Sequence, residues 1–191
     1  MLPKLQVIIT STRPGRVGPA AAKWFRNFAE QHGKFEAELV DVNDFALPVY
    51  DEPYHPLMQN YQHEHTHKWS ASVAVADAYV FVTPEYNYGP TPAFVNALNY
   101  LYKEWNYKPC GFVSYGGAAG GVRAVQLEKL LAVTLKMMPM VEGVMMPMIS
   151  DSLGEDGRFQ SNDLIDASAT ALLDELLKWT NGLKAMRDNM A

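Results

Sequence analysis

Short apolar runs alternate with amphipathic segments along most of this chain. The runs at 5–10, 35–42, 78–82, 110–114 and 141–146 are rich in β-branched and aromatic residues, which predicts five short strands. Between them, apolar residues recur every three or four positions. This spacing predicts helices over about 17–33, 63–76, from 92, over 122–135, and a C-terminal helix over about 163–185.

Strictly alternating strands and helices indicate βαβ units, and hence a parallel sheet with helices on both faces. We predict an α/β, doubly wound, five-stranded parallel sheet of order 2-1-3-4-5, which is the flavodoxin-like arrangement. Without a repeat or a linker, residues 1–191 are expected to form a single domain. Such sheets bind ligands beyond the carboxyl ends of their strands, where the strand order reverses. The loops after strands one, three and four are therefore the candidate site.

The loop after strand one reads TSTRPGR over residues 10–16 and leads directly into a helix. Free backbone N–H groups and the helix dipole favour an anion there, and two arginines add positive charge. The other interpretation is a solvated loop with surface arginines. The spacing matches neither G-x-x-x-x-G-K-[ST] nor G-x-G-x-x-G, so a monophosphate is favoured over a nucleoside triphosphate or a Rossmann-bound dinucleotide.

The other two loops are unusual in opposite ways. TPEYNYGPTP, residues 83–92, is stiffened by prolines and offers flat tyrosine faces. YGGAAGG, residues 115–121, has almost no side-chain bulk, so its backbone can approach a ligand closely. With a phosphate site beside them, these loops predict a slot for a flat ring carrying a monophosphate, which is the shape of flavin mononucleotide (FMN).

The segments STRPGR, PEYNYGPTPAFVNAL and KEWNYKP followed by SYGG resemble the NADPH-dependent FMN reductases of flavodoxin-like fold, which include quinone-, azo- and chromate-reducing members. The resemblance covers roughly residues 6–147. It implies a cofactor site formed by Thr10, Ser11, Arg13, Arg16, Val17, Pro84, Glu85, Tyr86, Asn87, Tyr88, Ser114, Tyr115, Gly116 and Gly117. It implies no catalytic side chain, because the flavin carries the chemistry.

The resemblance also implies an enzyme that passes electrons from NADPH or NADH, through FMN, to a small acceptor such as a quinone, azo compound, metal oxyanion or free flavin. It further implies a homodimer or homotetramer, in which the long 43–61 segment forms a lid or a subunit contact. Three positions depart from the family pattern: Thr10 replaces a usual glycine, and Val95 and Asn99 replace a common lysine and aspartate.

Composition restricts the alternatives. Sixteen basic and twenty-one acidic residues give a net charge of -5, which does not favour a nucleic-acid partner. No apolar stretch reaches the ~18 residues that a membrane span needs, and the N-terminus lacks a signal-peptide pattern, so we expect a soluble, cytoplasmic protein. The single cysteine, Cys110, is expected to be a buried core residue.

Three other functions compete with the reductase. A non-enzymatic flavodoxin-like electron carrier has the same fold and cofactor, but the two loop arginines and the mild net charge are less typical of it. A serine hydrolase at Ser114 lacks both the G-x-S-x-G spacing and a histidine after His67. A metal site at the histidines 63, 65 and 67 lacks a third ligand, since only the first and last share a helix face, and we predict no metal.

Overall fold

The computed structural model describes residues 1–190. Its sheet is parallel, with strands β1 (Lys4–Ile9), β2 (Glu36–Asp41), β3 (Ala78–Pro84), β4 (Pro109–Tyr115), β5 (Met138–Pro139) and β6 (Val144–Met146). The order is β2-β1-β3-β4-β5, which confirms the predicted doubly wound α/β topology. β3 and β4 lie at the centre of the sheet and are buried along their whole length, as their continuous apolar runs require.

The predicted fifth strand forms in two pieces. β5 and β6 both pair with β4. Met140 still donates its N–H to the Cys110 carbonyl on β4 at 2.8 Å, and residues 141–143 leave the hydrogen-bond ladder. The second piece begins after Gly143, so the strand over 141–146 is shorter at its start than predicted.

The helices are α1 (Gly18–His32), α2 (Glu64–Ala74), α3 (Pro92–Asn99), α4 (Val122–Thr134) and α5 (Asp163–Asp188). Four agree closely with the predicted ranges. α3 ends earlier than its apolar stripe suggests, and a separate 3-10 turn spans Lys103–Trp105. This turn buries Trp105 completely, with its ring centroid 5.0 Å from that of Tyr79 on β3. Packing against the sheet, rather than any helix-breaking residue, therefore decides where α3 stops.

The two faces of the sheet have separate cores. α1 and α5 cover one face, where Phe25 and Leu172 are fully buried. α2, α3 and α4 cover the other, where Trp69 and Phe81 are buried and Cys110 is inaccessible, as predicted. Over residues 1–190, none of the helices combines the length and the apolar character that crossing a bilayer demands.

Parallel strands bring their carboxyl ends to one edge of the sheet, and one side chain ties two of the candidate loops together there. The Thr91 hydroxyl donates to the Thr10 carbonyl at 3.0 Å and accepts the N–H of Phe94 at 3.0 Å. It therefore caps α3 and fixes the loop after β1 against the loop after β3. Both contacts are buried, so the relative position of the two loops is well defined.

Candidate functional site

A cleft of about 370 Å³ opens at this edge of the sheet. Ten of the fourteen predicted site residues line it: Ser11, Arg13, Arg16, Val17, Pro84, Glu85, Tyr86, Tyr115, Gly116 and Gly117. The remaining wall is Met148, Ile149 and Ser150, from the loop after β6. Residues from four separate loops therefore converge on one concave surface.

One end of the cleft combines the start of α1 with an exposed arginine. α1 begins without a side-chain cap and without an acidic residue in its first turn, so its free N–H groups are uncompensated. Arg13 is exposed and makes no ion pair within residues 1–190. An exposed, unpaired guanidinium beside an uncapped helix start is a phosphate-binding arrangement.

Arg16 has a different environment from Arg13. Its guanidinium pairs with Asp41 at the end of β2 and also donates to the Ser11 carbonyl. These contacts use much of its donor capacity and brace the loop across the ends of β1 and β2. Arg16 therefore supports the shape of the loop after β1, whereas the guanidinium of Arg13 has no ion-pair partner in the described residues.

The aromatic turn after β3 is a tight hairpin. Tyr86 and Gly89 exchange both backbone hydrogen bonds, at 3.0 and 2.9 Å, around a two-residue turn. Both turn residues, Asn87 and Tyr88, have positive φ (50° and 67°), which is uncommon for a tyrosine and stores strain. The turn holds Tyr86 so that its hydroxyl lies 3.2 Å from the Ser11 hydroxyl, which links the two loops a second time.

A charged pair anchors the outer side of this hairpin. Glu85 accepts the backbone N–H of Arg123 at 3.1 Å and forms an ion pair with its guanidinium at 3.0 Å. The guanidinium also lies over the Tyr88 ring, 3.8 Å from its centroid. Glu85 thus fastens the hairpin to the start of α4, and Tyr88 and Arg123 stay partly exposed at the rim.

The glycine loop after β4 approaches its neighbours closely. Gly121 has φ of +81°, and a Cβ there would lie 2.8 Å from the Tyr115 carbonyl oxygen, so no other residue fits without a shift. Gly117 faces open space instead, and a Cβ added there would have no atom within 4 Å. Its carbonyl accepts from Gly120 and Met148, which brings the loop after β6 into the cleft wall.

Tyr115 ends β4 inside the cleft. Its hydroxyl is buried next to the Ser11 hydroxyl but makes no hydrogen bond of good geometry within residues 1–190. Burial raises the pKa of this phenol, and the nearby Ser11 hydroxyl offsets part of that rise. A Cβ on residue 18 would lie 2.6 Å from that hydroxyl, so Gly18 makes room for it at the start of α1. A buried hydroxyl without a partner beside the anion end is available to a ligand.

A buried carboxyl lies behind the cleft. Glu128 on α4 is completely inaccessible, and its Oε1 accepts from the Thr83 hydroxyl at 2.6 Å. Its Oε2 has no partner in the described part of the chain. Burial raises the pKa of Glu128 to about 8, so this carboxyl is mostly protonated at neutral pH.

Four predicted site residues lie outside the cleft. Thr10 is buried and donates its hydroxyl to the Val82 carbonyl at 3.1 Å, so the threonine in place of the family glycine joins two strand ends. Ser114 is buried and points to the opposite face of β4 from Tyr115, because side chains alternate along a strand. Asn87 and Tyr88 form the hairpin turn at the rim.

Sequence reasoning missed Met148, Ile149 and Ser150. Met148 has φ of +47° in the turn that follows β6. Its N–H donates to the Gly117 carbonyl at 3.1 Å. A non-glycine residue at positive φ has no sequence signature, so only the backbone path could place it here.

His63 and His65, rather than His63 and His67 as predicted, lie together, and they fasten the long segment after β2. His65 contacts the Asp51 carboxylate at 3.0 Å, His63 contacts the Asp51 carbonyl at 3.2 Å, and the two rings stack. Tyr100 donates to the same carboxylate at 2.8 Å, and these partners keep the pKa of Asp51 low despite some desolvation. Within residues 1–190, no group of three or more acidic, histidine or cysteine side chains has a metal-binding arrangement.

Comparison with known proteins decides the family. The family model of the NADPH-dependent FMN reductases matches residues 3–151. The chain belongs to this family. It is 40% identical over 169 residues to the NAD(P)H-dependent FMN reductase C4B3.06c of Schizosaccharomyces pombe, covering 80% of this chain and 84% of the relative. It is 34% identical over 139 residues to the NAD(P)H-dependent FMN reductase LOT6 of Saccharomyces cerevisiae, covering 67% and 73%.

A solved structure agrees with the fold of this FMN reductase family member. The flavoenzyme NAD(P)H:(acceptor) oxidoreductase FerB of Paracoccus denitrificans superposes with a TM-score of 0.77 at 20% identity, covering 95% of this chain and 98% of that one. Family membership confirms the predicted resemblance and the predicted cofactors, FMN with NAD(P)H.

Proposed function

We propose that the cleft binds FMN, with the phosphate at the loop after β1 and the ring between the loops after β3 and β4. Three observations support this. Arg13 and the uncapped start of α1 fit a phosphate. The Tyr115 hydroxyl is buried without a partner in the described residues. A side chain at Gly117 would enter open space, which is the room that a flat ring needs.

The residues have distinct roles in this proposal. Arg13 and the Ser11 hydroxyl bind the phosphate, while Arg16, held by Asp41, keeps the loop in shape. Pro84 to Tyr86 form one wall of the ring slot. The N–H of Gly117 makes no hydrogen bond within residues 1–190, so it is free to donate to the edge of the ring and to stabilise negative charge there.

When bound in this cleft, FMN would supply the redox chemistry that links a nicotinamide to a second substrate. The chain itself orients the ring, keeps water from the buried side of the slot and offers donors to the charged end. No nucleophile or general base of the protein is needed. The acceptor class proposed is a small oxidant: a quinone, an azo compound, a metal oxyanion or free flavin.

We also propose a homodimer or homotetramer. The long segment after β2 and α3 border an apolar groove of about 660 Å³ next to Thr12 of the phosphate loop. Val49 is 90% exposed there, and Val95, at a position where the family often has lysine, adds to the apolar surface. Light scattering after gel filtration tests the oligomeric state, and a fully active monomer in dilute solution would refute the proposed oligomer.

The single domain and the cytoplasmic location stay predictions.

The observation that carries the proposal is the convergence of an unpaired arginine, an uncapped helix start and a side-chain-free loop on one cleft. The first test is the absorbance spectrum of the purified protein, in which bound oxidised flavin is visible and is bleached by NADPH. Steady-state NADPH oxidation with added benzoquinone then separates the reductase from an electron carrier, which would show almost no turnover.

The position of the flavin is tested separately. Gly117→Val adds a side chain that meets no protein atom within 4 Å of its Cβ, so the fold should be retained by circular dichroism while flavin is lost. Gly182→Ala is a control on α5, away from the cleft, where an added Cβ also has no neighbour within 4 Å. Retention of flavin by folded Gly117→Val would place the ring elsewhere.

A further inference from the structure

A second concavity of about 890 Å³ adjoins the cleft. It lies between α1 and the 153–159 hairpin, and we call it the α1 groove. Arg16 and Val17 line both the cleft and the α1 groove, so the groove is continuous with the anion end of the flavin site. Its size is in the range of small-molecule sites.

Two rows of side chains from α1 line the groove. Ala20, Trp24 and Phe28 form an apolar row at four-residue spacing, and Lys23, Asn27 and Gln31 form a polar row beside it. At 1.5 Å per residue, the stripe from Ala20 to Gln31 is about 16 Å long. The groove therefore presents an aromatic surface and a line of hydrogen-bonding groups side by side.

The opposite wall is a hydrogen-bonded hairpin. Leu153 and Phe159 pair across it, and Gly154 donates its N–H to the Arg158 carbonyl at 2.9 Å. Phe159 is buried and packs edge-on against Trp24, with ring centroids 5.3 Å apart. This contact fixes the width of the groove and leaves Trp24 only partly covered.

The charges at the groove favour a phosphate. Lys23 is exposed and forms no ion pair within residues 1–190, and Arg16 lies at the junction with the cleft. Arg158 contacts Asp156, the one carboxylate among the described lining residues, at 3.3 Å, but both side chains are largely exposed. An exposed pair of this kind is weak, so Arg158 remains free to bind a stronger anion.

We propose that the α1 groove binds the adenosine-phosphate arm of a dinucleotide whose other half occupies the flavin cleft. Trp24 and Phe28 offer a surface for the base, Asn27 and Gln31 offer amides to its edge, and Lys23 and Arg158 bind phosphate. The inference rests on the proposed function, because it takes the cleft as the flavin site. Two dinucleotides carry this arm: the nicotinamide cofactor and FAD.

The test compares two double variants. Lys23→Glu/Arg158→Glu changes the groove, and Lys68→Glu/Lys178→Glu is a control with the same change in charge on exposed lysines of α2 and α5. Adenosine 2′,5′-bisphosphate and 5′-AMP are titrated into the FMN-loaded proteins by calorimetry. We expect the first variant to bind either probe about tenfold more weakly, or not at all, because two charged contacts are reversed. The control should bind like wild type.

Two further measurements identify the source of the arm. If Lys23→Glu/Arg158→Glu raises the KM for NADPH about tenfold, and its KM for 1-benzyl-1,4-dihydronicotinamide equals that of the control, the groove belongs to the nicotinamide cofactor. Weaker binding of FAD relative to FMN assigns it to a flavin dinucleotide. The proposal is wrong if probe binding, the KM for NADPH and the affinity for FAD relative to FMN are all unchanged. If the enzyme oxidises no NADPH, the proposed function fails, but probe binding and the FAD-to-FMN ratio still decide the groove.

Discussion

The buried carboxyl of Glu128 makes stability depend on pH in a direction opposite to that of a salt-bridged acid. Burial raises its pKa in the folded protein to about 8, against an ordinary value of 4.5. Below pH 4.5 the carboxyl is protonated in both states. Between pH 4.5 and 8 the unfolded chain loses this proton while the folded protein keeps it, so the free energy of unfolding falls as the pH rises.

The perturbation is Glu128→Gln, which keeps the size and the polar contact to Thr83 but removes the titration. Between the two pKa values, one titrating group changes the free energy of unfolding by at most about 1.4 kcal/mol per pH unit. From pH 5.5 to 7.5, the free energy of unfolding of wild type relative to the variant should therefore fall by about 2 to 3 kcal/mol. Above pH 8 the difference should level off.

Urea unfolding followed by circular dichroism, at pH values from 5 to 9, measures this difference. Groups common to both proteins cancel in the comparison. Glu155→Gln, which removes an exposed carboxyl, is the control for the loss of one negative charge. Parallel stability profiles of wild type and Glu128→Gln over this range would refute the reasoning, because they would mean that Glu128 ionises equally in the folded and unfolded states.

Three further predictions concern the loops. Arg13→Ala should lower FMN affinity about tenfold or more, measured by fluorescence quenching on titration. The stability of the flavin-free protein should not change, because the Arg13 charge has no ion-pair partner in the described residues. An unchanged affinity would exclude Arg13 as the phosphate ligand. Gly121→Ala should destabilise the protein by about 2 to 4 kcal/mol in urea unfolding, and Gly15→Ala by about 1 kcal/mol. Both glycines have positive φ, but only at Gly121 would the added Cβ lie within 3 Å of a backbone atom. Equal losses of stability in the two variants would mean that the backbone around Gly121 shifts to accommodate the added methyl group. Thr91→Val should cost about 1 to 2 kcal/mol, since it removes an α3 cap and the bond to Thr10; a neutral effect would show that the two loops are held by other contacts.

The sequence by itself determined the architecture, because its short apolar runs and its helical stripes of period 3.6 reflect which faces must be buried. The runs at 78–82 and 110–114 became β3 and β4, and the alternation of elements predicted the strand order. The sequence also predicted which three loops would meet, since the carboxyl ends of parallel strands share one edge. Ten of the fourteen predicted site residues line the cleft for this reason.

The tertiary structure decided what each loop residue does. Arg13 and Arg16 are equivalent in the sequence, but Asp41, on a neighbouring strand, pairs with only one of them. Strand alternation turned Ser114 away from the cleft that Tyr115 lines, and a positive φ at Met148 brought an unpredicted loop into its wall. These outcomes depend on contacts between residues distant in the chain and on single backbone dihedrals, neither of which local patterns encode.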